Sequence, residues 1–521
     1  MKNTFAKMIS SDATVSVDIS DISTTTSAEA DRIRSFVEKN HGREVVVVQG
    51  IGFVGAGMLA ALARVRHSDG TPRFAVIGVD LADARNIGKI RSVLAGEPPV
   101  ISSDLTLIEC YREAGKVGNM TATAHLSAFE HATVVVVDVN LDIRKHGGGA
   151  RNYELDDGSF QRALRAVADH IREDTLVIVE TTVPPGTTEN VVKATLCDGL
   201  LRRGLDPGRV QIAHSYERVM PGPNYLTSIT AYYRVFSGID RASSDRARQF
   251  LQAFIDTASY PLTELQSPTA SEMAKVLENS FRSANIALIQ EWSEFAQAAS
   301  VDLFQIIEAI RMRATHRNIM SPGFGVGGYC LTKDSLLADW AARNFYGRQG
   351  HLGMSLDAVD VNDAMPRHTL ELIKNFVSEL VGKSILILGV SYLNDVADTR
   401  SSPTHILYEA CVAEGATVLV HDPMVAHWDE KNISIDCRME SLEDFVQVDV
   451  VVFAVRHQQY LVLDANKIVT LFPRALTIID ANNVLNDDIA RELAVRGVAV
   501  AGAGKGHWRA LNRTPHIDVA K

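Results

Sequence analysis

The residues from Gly323 to Asp334 read Gly-Phe-Gly-Val-Gly-Gly-Tyr-Cys-Leu-Thr-Lys-Asp. They place one thiol, Cys330, directly after a glycine-rich loop, with Lys333 and Asp334 inside the next helical turn. Glycine lets backbone approach a ligand closely and tolerates positive φ. A thiol beside cationic groups or a helix N-terminus shifts towards thiolate, its nucleophilic form. The same residues would also suit a turn, a helix and a small core cysteine, so this segment alone leaves both readings open.

A second stretch carries binding chemistry. Gly50-Ile-Gly52-Phe-Val-Gly55 follows the apolar run Glu44 to Gln49 and precedes the helical pattern Ala56 to Val65. In that strand-turn-helix context GxGxxG is a dinucleotide fingerprint. Gly50 permits the turn, Gly52 lets the backbone meet a pyrophosphate at the helix N-terminus, and Gly55 lets helix and strand pack closely. The next strand, Phe74 to Val79, ends at Asp80. An acid there bonds the adenosine ribose hydroxyls and disfavours a 2′-phosphate, so NAD is expected over NADP. Two polar segments, Glu180 to Glu189 and Tyr216-Glu217-Arg218 to Gly222, follow further strands. Each is a candidate ligand loop and equally a Pro/Gly turn. Lys275 and Asn279 are four apart in a helical pattern, hence neighbours on one face, which also fits a solvated pair.

These residues need elements to hold them. Strand-like runs are Thr133 to Val139, Thr175 to Val179, Val210 to Ala213 and Arg234 to Ser237, with a helical pattern from Phe160 to Arg172. Strands alternating with helices predict an open parallel α/β sheet with ligands at the carboxyl ends of its strands. Ile143 to Tyr153 contains Gly147-Gly-Gly149 and reads as a surface excursion. Ser271 to Ala299 is a long helix on which Met273, Val276, Leu277, Ser280, Ala284, Ala287 and Leu288 share an apolar side. After the cysteine loop a helical stretch runs through Asp357 to Pro366. The α/β pattern then restarts with strands at Ser384 to Gly389, Thr417 to His421, Val448 to Val455 and Leu476 to Asp480. The chain thus has two nucleotide-fold lobes, and the second lacks the three-glycine fingerprint. Ala28 to Lys39 reads as a short amphipathic helix after a Ser/Thr/Asp-rich start expected to be mobile.

The 521 residues are 46% hydrophobic, as expected of a soluble globular protein of roughly three domains, and the formal net charge of -11 argues against a nucleic-acid scaffold. Five scattered cysteines, Cys110, Cys197, Cys330, Cys411 and Cys437, offer no metal or disulfide spacing, so no metal is expected and a reducing cytoplasm is. The uncharged stretch Val45 to Ala63 is long enough to span a membrane. Its four glycines and strand-turn-helix pattern mark it instead as nucleotide-fold core.

From about Arg43 to Gly504 the chain resembles the UDP-glucose/GDP-mannose dehydrogenase family. The resemblance rests on six motifs in order. They are the GxGxxG start, Thr181 to Thr188 (Thr-Thr-Val-Pro-Pro-Gly-Thr-Thr), Tyr216 to Gly222, the Glu-x-x-Lys-x-x-x-Asn of Glu272 to Asn279, the glycine-Cys-x-x-Lys-Asp loop, and Asp398-Thr-Arg400-Ser-Ser-Pro403. It implies an α/β protein with two Rossmann-like parallel-sheet domains joined by a long central helix. The boundaries expected are an N-terminal extension over 1–42, an NAD-binding domain over 43–266, a central helical dimerisation region with the cysteine loop over 267–368, and a nucleotide-sugar-binding domain over 369–521. It also implies oxidation of a sugar C6 alcohol to a carboxylate with two NAD, through a Cys330 thiohemiacetal and thioester.

Carried onto this chain, the resemblance makes Lys275 the stabiliser of the developing oxyanion and Asn279 its partner. Asp334 positions water or shuttles protons, and Glu217 activates water for thioester hydrolysis. Cofactor contacts would come from Gly50, Gly52, Phe53, Val54, Gly55, Asp80, Arg85, Thr182, Lys333 and Arg400. Substrate contacts would come from Glu217, Arg218, Lys275, Arg317 and the loop residues Phe324, Gly325, Gly327 and Gly328. Departures from the family pattern are Tyr329 in place of His or Ser, Leu393 in place of a lysine, and Asn140-Leu141-Asp142 in place of Pro-Thr-Pro. Gly325-Val-Gly-Gly328 resembles the N-acetylhexosamine branch, whereas Lys333-Asp334 resembles the UDP-glucose branch.

The expected substrate is therefore a UDP-sugar, with a UDP-N-acetylhexosamine ahead of UDP-glucose and GDP-mannose behind. Alternatives are a two-electron hydroxy-acid dehydrogenase, which would need neither Cys330 nor a second lobe, and a silent NAD-binding paralogue. A homodimer or higher homo-oligomer is expected, with no nucleic-acid or membrane partner.

Overall fold

Runs of β-branched residues set the framework of the first lobe. The computed structural model describes residues 27–512, with Gly148 and Pro221 excepted, and the serine-rich start expected to be mobile and the end of the tail lie outside the described residues. The strands are β1 (Glu44–Gln49), β2 (Phe74–Val79), β3 (Met120–Thr123), β4 (Val134–Val137), β5 (Asp142–Lys145), β6 (Tyr153–Asp156), β7 (Leu176–Val179), β8 (Gln211–Tyr216), β9 (Val235–Gly238) and β10 (Thr263–Glu264). Eight of them form one sheet in the order β10-β9-β8-β7-β4-β1-β2-β3. The central Val46–Val48 and Val134–Val137 are fully buried, as expected of strands covered on both faces.

The sheet is not wholly parallel. β8 and β9 pair antiparallel, from Ala213 opposite Gly238 to Tyr216 opposite Val235. Parallel neighbours need a crossover along the sheet. The β8–β9 connection instead holds only the short helix Tyr225–Thr230, so the chain returns beside the strand it left. The N-terminal helix Ser27–Lys39 covers β3 at the sheet edge. Arg32 donates to Thr121 Oγ1 at 2.8 Å and to the Ala122 carbonyl at 2.7 Å, and the Thr123 hydroxyl donates to Glu29. Covering an edge strand in this way hinders pairing with another chain.

One compact unit comprises the chain up to Leu141 with Asp157–Glu272, and the other comprises Asp142–Asp156 with the chain from Met273 onward. The division falls inside the helix Pro268–Ala299. The surface excursion expected over 143–153 is in fact the antiparallel ribbon β5–β6 of the second unit. Its Ala150 is fully buried against Leu336, Leu356 and Val359. Ion pairs Lys145–Asp363 and Arg151–Asp357, each at 2.6 Å, fasten it to the helix Gly353–Lys374.

The second unit is built on a five-stranded sheet. Its further strands are β11 (Ser384–Leu388), β12 (Thr417–His421), the small pair β13 (His427–Trp428) and β14 (Ile433–Ser434), then β15 (Val450–Phe453), β16 (Thr477–Asp480) and β17 (Ala499–Gly502). The sheet is wholly parallel, in the order β12-β11-β15-β16-β17. Among the described residues no helix is long and apolar enough to cross a membrane.

The apolar side expected on the long helix is really two adjoining stripes. Val276, Ser280, Ser283 and Ala287 are buried, whereas Met273, Leu277 and Leu288 are exposed together with Phe281 and Phe295. At about 100° per residue these sets sit side by side on the helix, so periodicity alone sees one wide face.

Candidate active site

In the first unit the turn after β1 has the shape a dinucleotide needs. Gly50 has φ +91°, and a Cβ there would lie 2.6 Å from the Asp138 carbonyl oxygen. A Cβ on Gly55 would collide with the Gly50 carbonyl. A Cβ on Gly52 would meet nothing within 4 Å, so this glycine answers to space outside the protein. Gly52 is also the N-cap of the helix Phe53–Ala63, which has no side-chain cap, so the first amides of that helix are available to an anion. Asp80 accepts from the Ile51 amide at 3.1 Å and the Leu81 amide at 2.8 Å, with Lys89 Nζ 3.7 Å away. The Phe53 ring stacks on Tyr225 at 4.5 Å, while Val54 and Thr182 are half-buried. Arg85 belongs to the helix Ala84–Leu94, but its side chain lies outside the described part of the structure. These residues fit NAD.

Polar groups gather at the carboxyl ends of β4, β7 and β8. Arg234 Nη1 donates to Glu180 Oε1 at 2.8 Å, with both side chains almost fully buried. Asp138, half-buried with its Oδ2 atom out of solvent, lies near them. Burial, then the neighbouring Glu180 and Glu217, push its carboxyl well above the usual carboxylate range. Burial also raises Glu180, against the pull of Arg234. Glu217 is half-buried and accepts from the Val219 amide. Arg218 lies over the Tyr216 and Tyr232 rings at 5.2 and 5.8 Å. Sequence reasoning named Glu217 and Arg218 but missed Asp138 and Arg234. Their one signal is an ionisable residue at the end or the start of an apolar strand.

Glu272, the first residue of the Glu-x-x-Lys motif, serves the Pro-Pro-Gly-Thr-Thr turn. It is 1% exposed and accepts from the Gly186 amide, the Thr188 amide and the Thr188 hydroxyl at 2.5, 2.8 and 2.6 Å. Burial nonetheless pushes its carboxyl up to about 8.

In the second unit Cys330 alone of the five cysteines is exposed. Its carbonyl accepts from the Lys333 and Asp334 amides at 3.2 and 2.9 Å, so it stands at the start of the helix Asp334–Asn344. The positive end of that helix favours a thiolate. The long helix supplies Lys275, 7% exposed, and Asn279, whose amide donates to Asp334 Oδ2 at 2.6 Å. The Ser335 hydroxyl donates to Ser280 Oγ at 3.0 Å and ties the same two helices. Lys333 is also buried, and burial lowers its ammonium from the usual range, opposed by Asp334, Asp142 and Cys330. The solvated Lys-Asn pair that the sequence also allowed is not what forms.

The glycine loop packs against protein. A Cβ on Gly325 would lie 2.5 Å from Pro403 Cβ, on Gly327 2.6 Å from Tyr392 Cβ, and on Gly328 2.8 Å from the Tyr392 ring. Gly328 also has φ +78° and donates to the Arg400 carbonyl at 3.1 Å. Close chain packing thus accounts for these three glycines in addition to any ligand. The Phe324 ring is taken up by the core around Leu370, Ile373 and Val455. Arg400 pairs with Asp398 at 2.5 Å. Arg317 stands exposed after the turn Ala314–His316, and Leu393 is exposed.

Comparison with known proteins agrees along most of the chain. Three consecutive stretches match the UDP-glucose/GDP-mannose dehydrogenase family: its NAD binding domain over residues 44–254, its central domain over 269–364 and its UDP binding domain over 386–487. A UDP-N-acetyl-D-mannosamine dehydrogenase of Methanocaldococcus jannaschii is 27% identical over 471 residues, covering 90% of this chain and 99% of that protein. Among solved structures, an NDP-N-acetyl-D-galactosaminuronic acid dehydrogenase from Methanosarcina mazei Go1 superposes with a TM-score of 0.74 at 26% identity, covering 92% of this chain and 98% of its own. A UDP-D-ManNAc dehydrogenase from Pyrococcus horikoshii does so with a TM-score of 0.74 at 25% identity, covering 89% and 100%.

Proposed function

The chain belongs to the UDP-glucose/GDP-mannose dehydrogenase family of NAD-dependent nucleotide-sugar dehydrogenases, and we propose that it oxidises the C6 hydroxyl of a UDP-N-acetylhexosamine to the uronic acid in two steps at Cys330. The observation that carries this reading is the exposed Cys330 at a helix start whose Asp334 is bonded to Asn279, on the helix that also supplies buried Lys275.

NAD, when bound, accepts hydride from C6 in each of two rounds. The residues of the chain do the rest. In the first round the hydroxyl proton leaves as the aldehyde forms, and Lys275 and Asn279 stabilise the oxygen as it gains charge. Such donors act strongly where water is excluded. The Cys330 thiolate then adds to the aldehyde carbon, giving a thiohemiacetal. Loss of its C6 hydride and hydroxyl proton leaves a thioester. Water, positioned by Asp334, cleaves the carbon–sulfur bond, and the carboxylate and free thiol result. Covalent attachment divides one hard oxidation into easier steps.

The preference for an N-acetylhexosamine is supported by the Gly325-Val-Gly-Gly328 loop and by the activities named for the three relatives above. The exposed stripe of Met273, Leu277, Phe281, Leu288 and Phe295 supports a homodimer. Its spacings of four and seven let a second copy of the same helix interlock with it.

The test is stoichiometric. With excess NAD and limiting UDP-GlcNAc, UDP-ManNAc, UDP-GalNAc, UDP-glucose or GDP-mannose, two NADH per sugar are expected with one N-acetylhexosamine. Cys330→Ser should abolish the second oxidation. One NADH per sugar, or full turnover by the Ser variant, would refute the thioester route.

A further inference from the structure

Two of the departures from the family pattern lie 187 residues apart and touch. The Tyr329 hydroxyl donates to Asp142 Oδ2. Lys333 Nζ sits 3.9 Å over the Tyr329 ring and 3.9 Å from Asp142 Oδ1. Phenol to carboxylate, carboxylate to ammonium and ammonium to ring face close a triangle, one turn from Cys330. Asp142 opens β5, and the ribbon that carries it is anchored by buried Ala150 and by the ion pairs to Asp363 and Asp357. The carboxylate is half-exposed but stands on a docked element.

A buried ammonium is costly unless it is paired. The ring face and the carboxylate both favour the cation, the first through its quadrupole and the second by charge. The charged and titratable groups acting on Lys333 are Asp334, Asp142 and Cys330, which favour the cation, and Lys275, which opposes it. Arg400 lies on the same Tyr329 ring, 5.9 Å from its centroid. Burial and Asp142 push the Tyr329 phenol upward, so it remains a donor throughout the physiological range.

We propose that Tyr329 and Asp142 are positioning residues that hold Lys333 as a cation beside Cys330, so that the thiolate finds its counter-charge within its own loop. The inference rests on the reading of Cys330 as nucleophile and adds how that nucleophile is kept ready. A serine in place of Tyr329 could offer neither the ring face nor the reach to Asp142.

The test measures the rate at which iodoacetamide alkylates Cys330 in the full chain without substrate, from pH 6 to 9, by mass spectrometry of its peptide. Tyr329→Phe keeps the ring and removes only the hydroxyl. Asp142→Asn removes the charge. Each should move the alkylation midpoint to higher pH, and the rate at neutral pH should drop about tenfold for every pH unit that the midpoint moves. Removal of an acid would by itself ease ionisation of a nearby thiol, so slower labelling in Asp142→Asn is opposite in sign to a simple charge effect. Lys333→Gln should slow labelling at least as much, and Tyr329→Phe should add nothing in that background. Unchanged or faster labelling in the single variants, or equal slowing by Tyr329→Phe with and without Lys333, would overturn the proposal. The readout needs no turnover. Formation of two NADH per sugar by Cys330→Ser would sink the nucleophile reading while the alkylation profiles still decide the role of the pair.

Discussion

The side-chain amide of Asn279 donates to Asp334 Oδ2 at 2.6 Å and so joins the long helix to the helix that starts after Cys330. Asp334 is 1% exposed, so this bond acts on a carboxylate that water scarcely reaches. Asn279→Ala should cost about 1–3 kcal/mol of stability, the usual result of removing a partner from a buried polar group. If Asn279 also faces the reacting oxygen, kcat should fall by about 10²–10³-fold. Thermal unfolding and initial rates separate the two. Lost stability with kcat intact would make Asn279 a structural tie only.

Gly52 and Gly55 should fail differently. Gly55→Ala drives a methyl group into the Gly50 carbonyl and should lower the melting temperature as well as abolish NAD binding. Gly52→Ala meets nothing in the protein and should melt like the parent. It should still weaken NADH binding by about tenfold or more, since the methyl group occupies the approach of the pyrophosphate. Fluorescence titration with NADH and a melting curve on each variant suffice. Undiminished binding by Gly52→Ala would place the cofactor elsewhere.

The elements legible residue for residue were β1, β2 and β12, where runs such as Val45–Val48 have one physical solution. The antiparallel return of β9 was not legible, because strand pattern carries no direction. The motif residues Cys330, Lys333, Lys275, Asn279 and Asp334 were readable because each lies in a short local signature. Asp138, Glu180 and Arg234 form their cluster from three separate strand ends, and no local pattern announces it. The contact of Tyr329 with Asp142 was hidden for the same reason. Both were visible as departures, but only folding shows that they meet.

The exposed stripe on the long helix predicts assembly. Phe281 and Phe295 are 60% and 75% exposed, the largest apolar side chains of that stripe. Phe281→Glu together with Phe295→Glu should convert a dimer into a monomer in light scattering coupled to size exclusion, with the helix content by circular dichroism unchanged. A parent chain that already runs as a monomer at micromolar concentration would leave the stripe without that role.

Glu272 gives a pH dependence of definite sign. Burial raises its carboxyl from about 4.5 to about 8, although the Gly186 and Thr188 donors act the other way. Between those values the folded chain keeps a proton that the unfolded chain has released. Stability should therefore fall as pH rises through that window, by up to about 1.4 kcal/mol per pH unit from this one group. The raised Asp138 adds a slope of the same sign, so the parent curve alone cannot isolate Glu272. Glu272→Gln can. Glutamine does not titrate, and its carbonyl still accepts from one of the turn donors, but its amide nitrogen faces the others. The variant should be less stable than the parent at pH 5, and the deficit should shrink or reverse by pH 8. Urea midpoints across that range decide it. A deficit that stays constant with pH would mean that Glu272 remains in a single protonation state throughout, and that the three donors outweigh burial.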